Sequence, residues 1–367
     1  MNKLLKSPWL GISVMLAVVI LSYLALLLIS RGAETPDEGM ALTSMTGLLF
    51  GFFLMGFVIA TIAVMSGIGG GVLFTPLMLA FTPIDSLIIR GTGLVIAMFS
   101  GLVATGPFMK NGIGNLKLSI YCCCGYGIGA FIGAQGALWV ANQAGAGGEG
   151  IIRIVLGGIV LAIALYFIRG GVKREWPEVK KVDRFTQWLG ITQPYYEKSL
   201  GKVVDYQATR AGWGLVATCG IGMISGFFGL GAGWAIVPSM NLIMEIPLKV
   251  AAASSGILIG MSDCIAVWPY LHAGAIIPLF VAPWLAGQVM GGIIGAHVLI
   301  RVRATSIRFI LIGIMVFSSF GLVTKGLVSL GYIPTLPGAA YVVALLIIMA
   351  GVVLAIIGKF PKLGGGS

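Results

Sequence analysis

The feature that most constrains this chain is a series of apolar stretches, each about 20 residues long, which recur along nearly its whole length. Of its 367 residues, 58% are hydrophobic and only 10% are charged. Such stretches cross a bilayer as α-helices, because each backbone N–H and C=O must be hydrogen-bonded within the segment. Alternating strands of the kind that build a membrane barrel are absent from the sequence. The sequence therefore predicts an all-α polytopic membrane protein.

The excess of basic over acidic residues indicates how the chain is oriented in the membrane and does not indicate a nucleic-acid partner. The net charge is +11, and the 23 Lys and Arg residues cluster at the ends of apolar stretches and in one linker. The five cysteines lie in apolar stretches and have no histidine at a metal-ligand spacing, so we interpret them as small apolar side chains. We expect membrane lipid as a partner and no cofactor. The sequence does not indicate an oligomeric state.

A glycine-rich motif interrupts the apolar pattern twice. The first copy is Ser66–Gly71, followed by Pro76, and the second is Gly229–Gly233, followed by Pro238. Glycine inside a helix costs about 1 kcal/mol relative to alanine, so these runs favour a break in a membrane helix. A helix that starts after such a break presents free N–H groups at the positive end of its dipole, which suits an anion. The alternative is a close-packing face between helices.

The two motifs belong to a longer internal duplication. With an offset of 162 residues, seven Gly and Pro positions of the first half coincide with Gly and Pro in the second, among them Gly71 with Gly233 and Pro76 with Pro238. Duplication of this kind is typical of secondary transporters. The segment that follows the first motif, Val72–Phe81, spans only about 15 Å, half of the hydrocarbon thickness. If it counts as a crossing, the basic loops all fall inside, which favours inverted repeats with broken helices.

This arrangement predicts a division of the chain into six parts and about 10–12 membrane segments. Residues 1–44 form an extra N-terminal transmembrane helix and an external loop, 45–170 the first repeat, 171–209 a cytoplasmic linker with short amphipathic helices, 210–326 the second repeat, 327–362 an extra C-terminal transmembrane helix, and 363–367 a Gly/Ser tail of engineered appearance. Both termini are expected in the cytoplasm, with the protein in the inner membrane.

Polar residues beside the glycine runs are the candidate substrate ligands. The predicted set is Ser66, Gly69, Gly70, Gly71, Thr75, Arg90, Thr92, Gly231, Gly233, Trp234, Ser254 and Ser255. Arg90 begins an apolar stretch and is interpreted either as a partner for an oxyanion or as a residue whose charged end reaches the interface. Asp263 is the one acid well inside an apolar stretch. It is a candidate for proton or ion coupling, or for pairing with Arg90.

The two glycine motifs with their prolines and the downstream Thr92 and Ser254/Ser255 resemble the TauE/SafE family of membrane anion exporters. The similarity covers about residues 45–325. It implies a secondary transporter that exports sulfite or an organosulfonate such as sulfoacetate by alternating access. The second copy departs from the family pattern at Ala232 and Trp234, which leaves the substrate open.

Two other functions stay open from the sequence. One is an importer, or a proton-coupled carrier of another small organic anion. The other is an integral-membrane enzyme, which is disfavoured because no Ser/His/Asp order, HExxH motif or carboxylate pair within one helix is present. We therefore expect a transporter and not an enzyme.

Overall fold

The computed structural model describes residues 42–66, 71–82, 84–110, 112–168, 182–197, 202–299 and 304–337, and most of 340–351. The predicted first transmembrane helix, Gly69 and Gly70 of the first motif, part of the linker and the C-terminal tail lie outside these residues.

Helices make up almost all of the described chain. They are α1 (Leu42–Ser66), α2 (Gly71–Phe81), α3 (Ser86–Lys110), α4 (Leu116–Ile168), α5 (Arg184–Leu189), α6 (Ala211–Phe228), α7 (Gly233–Leu242), α8 (Leu248–His272), α9 (Pro278–Leu299) and α10 (Ala304–Ser329). Strands β1 (Tyr195–Glu197) and β2 (Lys202–Val204) form a small antiparallel hairpin between α5 and α6.

Seven segments within the described residues are long and apolar enough to cross a membrane, and two shorter apolar helices accompany them. The prediction of an all-α polytopic membrane protein is thereby confirmed. The predicted total of 10–12 segments includes stretches at both ends of the chain that lie outside the described residues.

Helix α4 contains two predicted spans. The sequence predicted Leu116–Val140 and Ile151–Ile168, and the structure has two membrane-length apolar stretches, Leu116–Gln143 and Gly147–Tyr166, within one helix of 53 residues. No proline occurs between its ends, and the intervening glycines do not interrupt its backbone hydrogen bonds. A straight helix of this length would reach about 80 Å, more than twice the hydrocarbon thickness. Its two halves contact different helices: Gly129 lies against α6 and Gly157 against α10.

The helix boundaries follow the spacing of the glycine motifs. Helices start at residues 71, 86 and 116 in the first half and at 233, 248 and 278 in the second, each pair 162 residues apart. Helices α1 and α6 end at residues 66 and 228, again 162 apart. The tandem repeat and its inverted orientation remain predictions, and the domain boundaries remain as inferred from the sequence.

Glycines join helices from the two halves of the chain. A Cβ atom on Gly125 or Gly129 of α4 would collide with the carbonyl oxygen of Leu215 or Cys219 on α6. A Cβ atom on Gly287 or Gly291 of α9 would collide in the same way with the carbonyl oxygen of Phe53 or Phe57 on α1. These collisions show that backbones approach closely across both interfaces, as small residues permit in membrane helices. We call these interfaces the glycine seams.

The described part of the linker packs against one end of the helical bundle. Asp183 caps helix α5, since its carboxylate accepts hydrogen bonds from the backbone N–H (3.1 Å) and hydroxyl (2.6 Å) of Thr186. Asn115, between α3 and α4, donates from Nδ2 to the hydroxyl of Tyr206 (2.8 Å). The sequence predicted short amphipathic helices here; the structure has one short helix and a β-hairpin.

Candidate functional site

A helix starts within each glycine motif. Helix α2 starts at Gly71 and α7 starts at Gly233, and both residues are buried. In the second motif Gly229 and Gly231 have φ angles of 69° and 66°, in the left-handed region that residues with a Cβ atom rarely adopt. Gly229 ends α6, and its N–H donates to the carbonyl of Ser225 at 2.8 Å. The glycines of this motif therefore allow the backbone to adopt positive φ angles where α6 ends and α7 begins.

The two motifs meet on helix α3. A Cβ atom on Gly71 would lie 2.8 Å from the carbonyl oxygen of Leu230 and 3.0 Å from Cβ of Ala97. A Cβ atom on Gly231 would lie 2.6 Å from the same Ala97 Cβ. The Thr75 hydroxyl donates to the carbonyl of Gly229 at 2.6 Å and so ties α2 to the second break. We call this meeting point, formed by Gly71, Gly93, Gly229 and Gly231, the glycine junction.

Close packing explains part of the junction. A Cβ atom on Gly229 would collide with the backbone of Arg90, and one on Gly93 would collide with Thr75 and with the carbonyl of Gly229. Any side chain at Gly71 would likewise displace its neighbours, so a bulky residue there would disturb the fold as well as a binding site. Glycines of the junction therefore permit close packing of helices, at the same place where the sequence predicts an anion-binding site.

Arg90 lies inside the protein beside the junction. Its side chain is 1% exposed, which does not fit the alternative of a residue whose charged end reaches the interface. Nη2 donates to the Ser86 hydroxyl at 3.3 Å, and the guanidinium lies 5.7 Å from the centre of the Phe227 ring. Nε and Nη1 have no hydrogen-bond partner among the residues that the structure describes. A buried guanidinium with two free donor nitrogens suits an anion.

Ser86 links Arg90 to an ion pair at the start of α3. The Ser86 hydroxyl donates to a carboxylate oxygen of Glu149, and the other oxygen accepts from Nη2 of Arg153 at 2.9 Å. Within the described residues this Glu149–Arg153 contact is the one ion pair. Arg153 also donates to the Ser329 hydroxyl at 3.2 Å. Helices α3, α4 and α10 are therefore joined by a polar network at one end of the bundle.

The other candidate ligands divide between the junction and a second location. Thr92, on α3, is fully buried, and its hydroxyl has no partner in the described part of the chain. Trp234 Nε1 donates to the carbonyl of Gly231 at 3.2 Å, beside the break. Ser254 accepts a hydrogen bond from the backbone N–H of Asn115 (3.1 Å), near the docked linker, and Ser255 donates to its own helix. The side chain of Ser66 is outside the described residues.

Asp263 forms a separate buried cluster on α8. It is fully buried, and its Oδ1 accepts a hydrogen bond from the Tyr126 hydroxyl at 2.8 Å. The same hydroxyl lies 2.8 Å from Oγ of Ser225. Oδ2 of Asp263 and the hydroxyl of Ser262 both lack a partner among the described residues. The alternative role of Asp263, pairing with Arg90, is not present among the described contacts, where Arg90 contacts Ser86 and Phe227.

Sequence reasoning missed four residues of these clusters: Tyr126, Ser225, Phe227 and Tyr270. The Tyr270 hydroxyl donates to the carbonyl of Gly226 at 2.8 Å, beside Phe227. Each of the four comes to the site by contact between helices distant in sequence. Only the polarity of Tyr126 within a run of small residues offered a signal.

Within the described residues no group of three or more His, Cys, Asp or Glu side chains is arranged to hold a metal ion.

Comparison with known proteins gives a family and a distant relative. The family model described as "Sulfite exporter TauE/SafE" matches residues 52–322. The chain is also similar to the probable membrane transporter protein YunE of Bacillus subtilis (strain 168), with 23% identity over 284 residues, which cover 75% of this chain and 97% of the relative. No solved structure matches the chain.

Proposed function

Because this chain belongs to the sulfite exporter TauE/SafE family, we propose that it exports a small sulfur-containing anion, either sulfite or an organosulfonate such as sulfoacetate. The chain is a multi-pass membrane transporter of this family. We further propose that it lies in the inner membrane with both termini in the cytoplasm.

The observation that carries the anion substrate is the state of Arg90. A charge that is removed from water is stable only when it is paired or fully hydrogen-bonded. Within the described chain Arg90 contacts no carboxylate directly, and its Nε and Nη1 lack partners. Thr92 also has a free hydroxyl, but two residues along a helix place it on a different face from Arg90. Sulfite and sulfonate groups spread their charge over three oxygens and can accept from both free guanidinium nitrogens together.

The glycine junction supplies a second kind of donor. Helices α2 and α7 both start at the junction, and in α7 the N–H groups of Gly233 and Trp234 precede the first bond of the helix, which Ala235 donates to the carbonyl of Ala232 at 3.0 Å. The first turn carries a partial positive charge that favours an anion. Arg90 lies one helical turn before Gly93 on α3, and its backbone contacts Gly229. The guanidinium itself reaches back towards Ser86, so the proposed anion would lie between it and the two helix starts.

Export is favoured by the membrane potential. With the inside negative, each negative charge that leaves gains about 2.3 kcal/mol per 100 mV. The positive-inside distribution of basic loops puts the docked linker in the cytoplasm and the Glu149–Arg153 network at the outer end. We propose that an anion reaches the junction from the linker side and leaves past this network, by alternating access between the two halves of the chain.

The direct test is transport by the variant Arg90→Gln in proteoliposomes loaded with labelled sulfite or sulfoacetate. Hydrogen bonds to a charged group contribute about 1.5–3 kcal/mol, so half-saturation should rise by roughly 10- to 100-fold. Arg184→Gln is the matched control, because it makes the same chemical change at an exposed residue of α5 and should transport normally. Unchanged half-saturation for Arg90→Gln would remove Arg90 from the site.

The competing substrate class is the small carboxylates. Excess acetate or succinate in the same assay should compete weakly if three-oxygen anions are the substrates. Competition by a carboxylate as strong as that by sulfite would assign the protein to the carriers of organic anions. A membrane enzyme, the remaining alternative from the sequence, predicts chemical change of the anion, which analysis of the released material would detect.

A further inference from the structure

We propose that Asp263 is a proton-binding site and that its proton travels with the anion bound at Arg90. This inference rests on the proposed function and adds to it a coupling ion and a stoichiometry of one proton per anion. No covalent step is involved. Oδ2 of Asp263 takes a proton from the cytoplasmic solution when the anion enters and releases it outside when the anion leaves.

Burial without a cation is the first argument. Asp263 is fully buried in the middle of α8, and among the described residues it has one hydrogen bond to Oδ1 and none to Oδ2. An ionised carboxylate in such surroundings is strongly disfavoured unless a cation pairs with it. A neutral carboxyl group carries a proton on one oxygen and accepts on the other, which agrees with one occupied and one free oxygen.

The described helices around Asp263 bring no cation to it. Helix α3 is level with Asp263 at Met98 and Gly101, and its ionisable residues, Arg90 and Lys110, are each about 12 Å or more away along its axis. On α4 the facing group is the hydroxyl of Tyr126.

The remaining neighbours are also uncharged at this level. Helix α6 presents the Ser225 hydroxyl, and its one ionisable residue is Cys219. Helix α7 has no ionisable residue. On α8 itself the nearest is Cys264. A proton is therefore the available counterion for Asp263.

One short segment connects Asp263 to Arg90. Ser225 shares the Tyr126 hydroxyl with Asp263. The phenol has a single proton, so when it donates to Asp263 it must accept from Ser225. Two residues further on, the ring of Phe227 lies over the guanidinium of Arg90. The segment 225–229 thus contacts both groups and ends at the glycine junction.

Helix α8 makes a second connection. Tyr270 follows Asp263 by seven residues, about two turns, and therefore lies on the same face of the helix. Its hydroxyl donates to the carbonyl of Gly226, inside the segment 225–229. A change in the charge of Asp263 would alter the hydrogen bond to Tyr126 and with it the position of this segment.

Electrostatics gives the coupling its sign. A negative Asp263 repels an anion at Arg90 through a medium of low dielectric constant, and a protonated Asp263 does not. Proton and anion therefore favour each other's binding, and by linkage the effect is reciprocal. Sulfoacetate has two negative charges, so the pair carries one net negative charge outward and the membrane potential still favours export.

The test measures proton movement together with anion movement. Proteoliposomes are loaded with sulfoacetate and a pH-sensitive dye, and the potential is clamped with potassium and valinomycin. Sulfoacetate is the probe because both of its acidic groups are ionised near neutral pH and carry no proton themselves. In the native protein one proton should leave with each sulfoacetate. Asp263→Asn should release sulfoacetate without protons, whereas Asp205→Asn, the same change at an exposed residue, should keep the ratio of one.

The outcomes separate this inference from the proposed function. Sulfoacetate efflux without proton movement in the native protein would overturn the inference and leave the proposed function standing. A normal proton ratio in Asp263→Asn would also overturn it. Absence of both sulfite and sulfoacetate transport would remove the proposed function, and the inference with it. If Asp263→Asn fails to fold, Tyr126→Phe replaces it: the pH dependence of efflux should shift by at least about half a unit, and an unchanged profile would contradict the coupling.

Discussion

Substitution of Gly129 by alanine tests the glycine seam between α4 and α6. The added Cβ atom would overlap the carbonyl oxygen of Cys219, at a distance much shorter than 3.4 Å, where ordinary van der Waals contact begins. The two helices would have to separate locally by roughly an ångström, which as overpacking costs about 1–3 kcal/mol. Against this, replacing glycine within a helix gains about 1 kcal/mol of helix propensity. The expected net change runs from no effect to a loss of about 2 kcal/mol.

Gly158→Ala isolates the packing contribution. Gly158 lies in the same helix, is exposed, and has nothing within 4 Å of a built Cβ atom. This control should gain the full helix propensity, so the two variants should differ by about 1–3 kcal/mol. For a chain of 367 residues that corresponds to about 1–4 °C in the unfolding midpoint.

The assay is thermal unfolding of the purified variants in detergent, followed by the monodisperse fraction on size-exclusion chromatography. Gly291→Ala, at the seam between α1 and α9, should lose stability in the same way, because its Cβ atom would overlap the carbonyl oxygen of Phe57. If Gly129→Ala unfolds at or above the temperature of Gly158→Ala, the close approach of backbones at the seam is refuted.

Two further predictions concern the linker. Hydrogen bonds from Thr186 hold the pKa of the Asp183 carboxyl below its usual value, so the helix cap is intact above the ordinary Asp range and is lost as pH falls through the lowered pKa. Hydrogen exchange at the Thr186 amide should therefore rise on acidification by more than its intrinsic pH dependence. The variant Asp183→Asn should not show this extra rise. Burial raises the pKa of Tyr206 to about 12, so its hydroxyl stays protonated at working pH. Tyr206→Phe should therefore lose the hydrogen bond from Asn115, about 1 kcal/mol, equally at pH 6 and pH 9, and a loss confined to one of these pH values in thermal unfolding would contradict this assignment.

Local sequence signals account for most of the helix pattern. Apolar length predicted the membrane helices, and the glycine runs predicted that new helices start near Gly71 and Gly233, because both effects act within a few residues. The same local reasoning predicted the two apolar spans of α4 but not that one continuous helix contains both. Gly-rich composition alone does not end a helix when its backbone hydrogen bonds persist.

The candidate site was predictable only where a residue is unusual by itself. Arg90 and Asp263 stand out because charges inside apolar stretches are rare. Their partners are ordinary residues whose role depends on contacts between distant helices, as for Tyr126 with Asp263 or Phe227 with Arg90. Ser254 was predicted at the site from its position in the sequence, whereas in the structure its hydroxyl accepts a hydrogen bond from the backbone N–H of Asn115.

The glycine seams have a consequence for how the chain is made. Helix α1 is synthesised early, yet Phe57 meets its partner Gly291 only after more than two hundred further residues have left the ribosome. Until then the face of α1 that α9 will cover must be shielded by lipid or by the insertion machinery. The contact between α4 and α6 joins residues that are closer in sequence, Gly129 and Cys219, and can form earlier during synthesis. Contacts so distant along the sequence slow assembly, so completion of the bundle is set by arrival of the late helices rather than by formation of the early ones.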